Sequence, residues 1–184
     1  MYKNSKIILL AAYANNRLIG NEQGIPWKND PDCVELVESD ISRLRSMIQG
    51  STVILGRKTY EEICEIPSDP IENAWNAQVI VMSRDPAYKV RHPERARSAN
   101  SLDNALESAL FQPIYILGGT EVYNEFLNVD GLVDRMELTV IDRDYGSEGC
   151  CFPVFKASNW QREMVKNRKT SSGVTYRFVR YDHR

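Results

Sequence analysis

TVILGRKTYEE, Thr52–Glu62, passes from an apolar run to a helical pattern across one glycine. The run is too short for a helix, rich in Val and Ile, and closed by Gly56, so it reads as a strand buried on both faces. Thr59 and Glu62 stand at capping-box spacing, so a helix is expected to begin at Thr59. Working outward, the same grammar recurs in IILLAAYA (7–14), QVIVMS (78–83) and PIYILGG (113–119). Helical patterns lie between these runs, at 31–49, 59–64, 101–111 and 120–128. Strands alternating with helices imply an α/β fold, with a mainly parallel central sheet and helices on both faces.

The tail breaks the alternation. Residues 134–141, 160–167 and 174–181 read as strands with no helix among them, and the last two flank the turn signal Ser171-Ser172-Gly173. They should form a C-terminal antiparallel hairpin. RDPAYKVRHPERARSAN, residues 84–100, is polar and reads as a surface connection. No internal repeat or boundary interrupts the chain, so residues 1–184 are expected to form a single domain.

Composition narrows the function classes. Of 184 residues, 42% are hydrophobic and 26% charged, and the net charge is −2 without a basic block. Neither nucleic acid nor a membrane surface is an expected partner. Lys3 and Lys6 before IILLAAYA, with Ala12-Tyr13-Ala14 behind, imitate a signal peptide, but the eight apolar residues serve equally well as a buried strand. The four cysteines, Cys33, Cys64, Cys150 and Cys151, form no Cys-x-x-Cys pair. His92 and His183 are far from them along the chain, so no metal site is expected and the thiols read as incidental.

Two glycine-to-helix junctions offer anion sites. Gly56-Arg57-Lys58-Thr59 follows one strand, and Gly118-Gly119-Thr120-Glu121-Val122-Tyr123 follows another. Helix N-termini present free N–H groups and a positive dipole end, and glycine lets a ligand approach the backbone. Ordinary α/β turns are built this way too, yet a pair at one sheet edge suits a pyrophosphate. The run QVIVMS ends in Ser83-Arg84 rather than in an acid. Arg57, Lys58 and Arg84 offer positive charge to a 2′-phosphate, so NADP is favoured over NAD.

PWKNDPDCVELVESDISRL, Pro26–Leu44, holds five carboxylates. Asp30-Pro31 reads as an N-cap followed by proline at the first helical position, and Asp32 suits the first turn. Val34, Val37, Ile41, Leu44 and Ile48 step by 3 and 4 and form one apolar stripe. Asp40 adjoins that stripe and should lie on its core-facing edge, whereas Glu35 and Glu38 should be solvated. A carboxylate there costs free energy unless something uses it. A buried structural acid and a functional acid are the two readings.

These pieces together resemble the dihydrofolate reductases, of the bacterial type, from Ile7 to the C-terminus. The residues that carry the resemblance are LLAAYANNRLIGNEQGIPW (9–27), DISRLRSMIQG (40–50), VILGRKTYEEI (53–63), VIVMSR (79–84), ILGGTEVYNEFL (116–127), LTVID (138–142) and FP (152–153). The resemblance implies an eight-stranded sheet with four main helices, and residues 7–14 as a central strand rather than a signal. It implies an oxidoreductase that reduces 7,8-dihydrofolate to tetrahydrofolate with NADPH, a cytoplasmic enzyme of one-carbon metabolism and an antifolate target. A monomer is expected.

The resemblance also selects Asp40 as the functional acid, promoting protonation at pterin N5 while hydride goes to C6. Trp27 would help place a water, and Thr139 would act with Asp40 through hydrogen bonding. Ala11, Ala12, Ile25, Ile41, Leu44 and Leu117 match substrate-pocket positions. Ile19 and Gly20 open a loop over the nicotinamide. Gly56, Arg57, Lys58, Thr59, Ser83, Arg84, Gly118, Gly119, Thr120, Glu121, Val122 and Tyr123, with Ala12, match cofactor positions.

The pattern also breaks. The segment from Trp27 to Asp40 is longer than is common in the family, and Leu44 stands where phenylalanine is usual. Ala77 occupies the place of an arginine that holds folate's α-carboxylate, at a cost of about 1.5–3 kcal/mol. Arg43 or Arg45 could substitute, or both could be solvated. Glu148-Gly149-Cys150-Cys151 replaces an acidic loop, and Glu121 weakens the electrostatics beside the adenine. Two rivals therefore stand beside the leading reading. One is a reductase of the same fold for a tail-less pterin or similar heterocycle. The other is a binding protein without turnover.

Overall fold

The computed structural model describes residues 5–184, and Lys3 of the N-terminal reading lies outside them. Eight strands form one sheet, in the order β5-β4-β3-β6-β1-β7-β10-β9. These are β1 (Ile7–Tyr13), β3 (Thr52–Gly56), β4 (Gln78–Met82), β5 (Ala96–Ala99), β6 (Ile114–Ile116), β7 (Arg135–Ile141), β9 (Trp160–Lys169) and β10 (Thr175–His183). The expected run 7–14 is therefore the central β1. β2 (Leu18–Gly20) and β8 (Cys150–Cys151) make a separate two-stranded ladder. By Cα proximity the described residues divide into two compact units, one of residues 5–8 and 45–134, the other of residues 9–44 and 135–184.

The first unit is built on parallel strands. β3 pairs parallel with β4 and β6, and β4 with β5. Val53, Ile54, Leu55, Val79, Ile80 and Val81 are fully buried, which is why these strands read as continuous apolar runs. Between them run α2 (Arg57–Cys64), the single turn α3 (Pro70–Asn73), α4 (Leu102–Glu107) and α5 (Thr120–Leu127). α2 corrects the capping-box reading. It begins at Arg57 with Gly56 as N-cap and no side-chain cap. The Gly56 N–H donates to Gly118 O at 2.6 Å, turning the chain out of β3 directly into the helix. The connection 84–100 is likewise not all surface. Ala96–Ala99 is an edge strand with Ala96 and Ala99 buried, and His92 is buried ahead of it.

The second unit is antiparallel. β10 pairs with β7 on one side and β9 on the other, and residues 170–174 form the expected hairpin turn. Above these strands Ala14, Trp27, Cys33, Leu36, Ile141, Val174, Tyr176 and Phe178 form a core cluster. α1 (Val34–Ile48) enters through a short 3-10 turn at Pro31–Cys33, where Asp30 accepts the Asp32 N–H at 3.0 Å and Pro31 leads the turn. That N-cap is the one expected.

The helix's inward face matches the predicted stripe only in part: Val37, Leu44 and Ile48 turn inward, the other two do not. Val34 is 54% exposed and Ile41 40%, while Leu36 is fully buried. Cys33 and Leu36 anchor α1 in the cluster and so set its rotation. The inward row becomes Leu36, Asp40, Leu44 and Ile48, one residue per turn. Asp40, half-buried, thus stands between Leu36 and Leu44 on the inward row.

Candidate functional site

The second unit contains the carboxylate site. Thr139, buried on β7, donates its hydroxyl to Asp40 Oδ1 at 2.5 Å. Burial pushes the Asp40 carboxyl up from the ordinary aspartate range. The Thr139 hydrogen bond and the Arg43 charge oppose the shift without cancelling it. A carboxyl so placed holds its proton to higher pH than a solvated one, which suits a proton donor.

The other four acids of the stretch have different duties. Asp30 Oδ2 accepts from the Tyr145 hydroxyl at 2.7 Å and from Arg143 Nε at 2.9 Å. Burial acts to raise its pKa, but Tyr145, the Asp32 N–H and Arg143 hold it below the usual value. Asp32 pairs with Arg143 at 3.1 Å. Glu35 is not merely solvated, because it accepts the backbone N–H and the hydroxyl of Ser171. Glu38 is exposed. Helix entry and turn anchoring account for three of these four.

Trp27 is buried in the 3-10 turn Pro26–Asn29, its ring 6.3 Å from that of Tyr145. Ala11, Ala12 and Leu44 are half-buried, whereas Ile25 is 44% exposed and Ile41, as noted, also faces outward. Ile19 and Gly20 lie on β2, and Gly20 pairs with Cys150. The Phe152 N–H donates to Arg17 O at 2.7 Å. Gly149 makes this approach possible, since at φ +139° a Cβ would fall 2.2 Å from Gly20 O. The altered segment Glu148–Cys151 thus still holds the 18–20 strand.

One feature of this unit had no local signal in the sequence. Glu137, 2% exposed, receives Arg43 at 2.5 Å and Arg180 at 2.8 Å, and the Arg43 guanidinium lies over the Phe178 ring. Arg43 is therefore committed inside the protein, while Arg45 is exposed in the last turn of α1. Tyr145, which ties Asp30 to the Cys33 thiol, was equally unforeseen.

The first unit contains the glycine junctions, and it brings them together. Gly56 donates to Gly118 O, and a Cβ on Gly119 would lie 3.5 Å from Thr59 Oγ1. α5 begins at Thr120 with Gly119 as N-cap, so the N-termini of α2 and α5 converge. Gly118 has φ +87°, and a Cβ there would sit 2.5 Å from the Tyr123 ring. Val122 and Tyr123 are buried behind this backbone. Arg57 and Lys58 are exposed beside it. Ser83 is buried and accepts the Asp85 N–H at 3.2 Å. Arg84 pairs with Glu121 at 3.3 Å, both side chains exposed, so its charge is shared with an acid. Leu117 also belongs to this unit, its N–H donating to Ile54 O at 2.9 Å. Half-buried Ala77 brings no charge to the start of β4.

Small backbone, two helix N-termini and nearby cations are the features from which diphosphate sites are built. Separately, a carboxyl with raised affinity for its proton makes an acid. The family profile described as dihydrofolate reductase matches residues 6–183. A dihydrofolate reductase of Neisseria meningitidis serogroup A is 30% identical over 179 residues, covering 96% of this chain and 97% of its own length. Dihydrofolate reductase type 3 of Salmonella typhimurium is 32% identical over 158 residues, covering 84% and 83%. The solved dihydrofolate reductase from Enterococcus faecalis, complexed with NADP(H) and RAB-propyl, shares the fold. Its TM-score is 0.75 at 20% identity, with 97% of this chain and 96% of that one covered. This chain belongs to the dihydrofolate reductase family.

Proposed function

We propose that the protein reduces 7,8-dihydrofolate to 5,6,7,8-tetrahydrofolate, with Asp40 as the residue that promotes protonation at N5. The observation that carries this is the half-buried Asp40 carboxyl, raised in pKa and fixed by Thr139. NADPH, when bound, supplies the hydride. The residues of the first unit fit it. Gly118 and Gly119 leave backbone bare at the α5 N-terminus, and Arg57 and Lys58 stand ready for a 2′-phosphate. Thr120, Thr59, Ser83 and Tyr123 complete the cofactor assignment, and Glu121 tempers Arg84.

Asp40 has two tasks on this reading. One carboxylate can accept a ring N–H and the adjacent exocyclic amino group together. It also raises the local availability of a proton, with Trp27 closing the site against bulk solvent. The Thr139 hydroxyl fixes the carboxyl's rotation, since its single donor is spent on Oδ1. Ile25 and Ile41 present exposed apolar side chains, which a flat aromatic ligand would cover. Among the described residues no helix is long and apolar enough to cross a membrane. A cytoplasmic monomer is the proposed setting.

Ala77 favours a second reading, a reductase of a tail-less dihydropterin, because Arg43 is held by Glu137 and brings no free charge for a glutamate tail. Oxidation of NADPH followed with dihydrofolate and with a tail-less dihydropterin separates them. A strong preference in kcat/KM for dihydrofolate supports the first reading, and equal values support the second. Cofactor binding with neither turned over would leave only a binding protein.

A further inference from the structure

The opposite end of α2, roughly 12 Å along the helix from the glycine junction, carries a cluster that the reductase chemistry does not use. Cys64 closes α2, Asp69 caps α3, and His92 precedes β5. One ligand atom from each lies within 4.8 Å of the other two. Cys64 and Asp69 lie five residues apart and the fold brings His92 to them, a proximity that a search for Cys-x-x-Cys spacing does not reveal. We propose that Cys64, Asp69 and His92 bind a divalent ion of the zinc type, with solvent as fourth ligand, as a structural clamp within the first unit.

The donor set is one thiolate, one imidazole and one carboxylate, the ligands zinc prefers. Ideal bond lengths of about 2.0–2.3 Å place tetrahedral ligand atoms roughly 3.4–3.6 Å apart. Binding would draw the ligand atoms from a spread of up to 4.8 Å toward that value, while His92 Nε2 and Asp69 Oδ2, now 2.8 Å apart, would open slightly. Outer partners are at hand. His92 Nδ1 lies 3.7 Å from Glu94 Oε1, longer than a hydrogen bond, and a small approach of the exposed Glu94 would complete the carboxylate–histidine arrangement that fixes a ligating tautomer. The Tyr60 oxygen accepts the N–H groups of Arg91 and His92, each at 3.1 Å, which leaves its own proton for the Cys64 sulfur.

Binding releases the Cys64 thiol proton to the medium. The His92 Nε2 proton leaves as well, or moves to Nδ1 toward Glu94, so that a lone pair faces the ion. A cysteine nucleophile assisted by His92 is the competing use of the same three residues. Cys64 is only 5% exposed, so no substrate reaches it. An ion can enter beside Asp69 and His92, whose side chains keep 14% and 11% exposure.

The test is titration of the reduced, chelator-stripped full chain with cobalt(II). One equivalent should produce thiolate-to-cobalt charge-transfer absorption in the near ultraviolet and intense tetrahedral bands in the visible. Zinc should bleach both and raise Tm by several degrees. Cys64→Ser should abolish the charge-transfer band. His92→Gln should weaken binding at least tenfold. Glu94→Gln, at an exposed side chain that folding tolerates, should weaken it about tenfold. The double variant Cys150→Ser/Cys151→Ser should bind as wild type does. No band in the wild type, a band that survives Cys64→Ser, a band lost with Cys150 and Cys151, or unchanged affinity in both His92→Gln and Glu94→Gln would each overturn the proposal.

Discussion

The glycine junctions of the first unit and the carboxylate site of the second solve opposite problems. At Gly56, Gly118 and Gly119 the protein dispenses with side chains, so that the N-termini of α2 and α5 are brought together on closely packed backbone. At Asp40 it sinks a carboxyl into the protein and gives it a partner from a distant strand, Thr139 on β7. A site made of backbone fails when anything is added, whereas a site made of a buried acid fails when one group is changed. Substitutions that add an atom in one unit and change a functional group in the other therefore probe the difference directly.

The largest effect is expected from Asp40→Asn. Loss of the proton-supplying group should lower kcat by about 10²–10⁴-fold, while the amide oxygen still accepts from Thr139. The sign on stability is opposite. The Asp40 pKa is raised on folding, so its ionisation costs stability as pH rises from the unfolded value through the folded one. The Asn variant should therefore match or exceed wild type in Tm at neutral pH. A variant that is both inactive and unfolded would make Asp40 a structural acid.

Gly118→Ala should come next. Its φ of +87° and the 2.5 Å approach to Tyr123 predict a loss of about 2–4 kcal/mol. NADPH affinity should fall with it, by fluorescence titration. Full NADPH affinity in a folded variant would show that this backbone is not the cradle. Thr139→Val should be smaller. Removing a donor that favours the ionised carboxylate raises the Asp40 pKa further, so the falling limb of activity should move to higher pH, with kcat reduced only several-fold. Asp32→Asn should do least. Its pair with Arg143 is half-exposed and worth about 0–1 kcal/mol, and turnover should stay near wild type.

The two units also differed in how far the sequence could be read. Strands buried on both faces announce themselves as apolar runs, so β1, β3, β4 and β6 were legible, as was the β9–β10 hairpin around its glycine turn. β5 was not, because an edge strand of sequence ARSA buries only two alanines. On α1, hydrophobicity alone could not separate a face covered by protein from one left open. Val34 and Ile41 fitted the apolar period yet are exposed, and polar Asp40 lies on the inward row. Asp40 was singled out because a carboxylate beside an apolar stripe needs a reason, and the resemblance selected the same residue. Glu137 and Tyr145 escaped because their partners lie up to about a hundred residues away, and nothing local marks them. The cluster of Cys64, Asp69 and His92 escaped for the same reason, since spacing along the chain is no guide to spacing across a crossover.

The most direct measurement is the pH dependence of hydride transfer under single-turnover conditions, with wild type and Asp40→Asn side by side. Wild type should fall as pH rises through the elevated Asp40 pKa, and the Asn variant should be slow and lack that limb. The same limb in both proteins would place the titrating proton elsewhere and contradict the role given to Asp40.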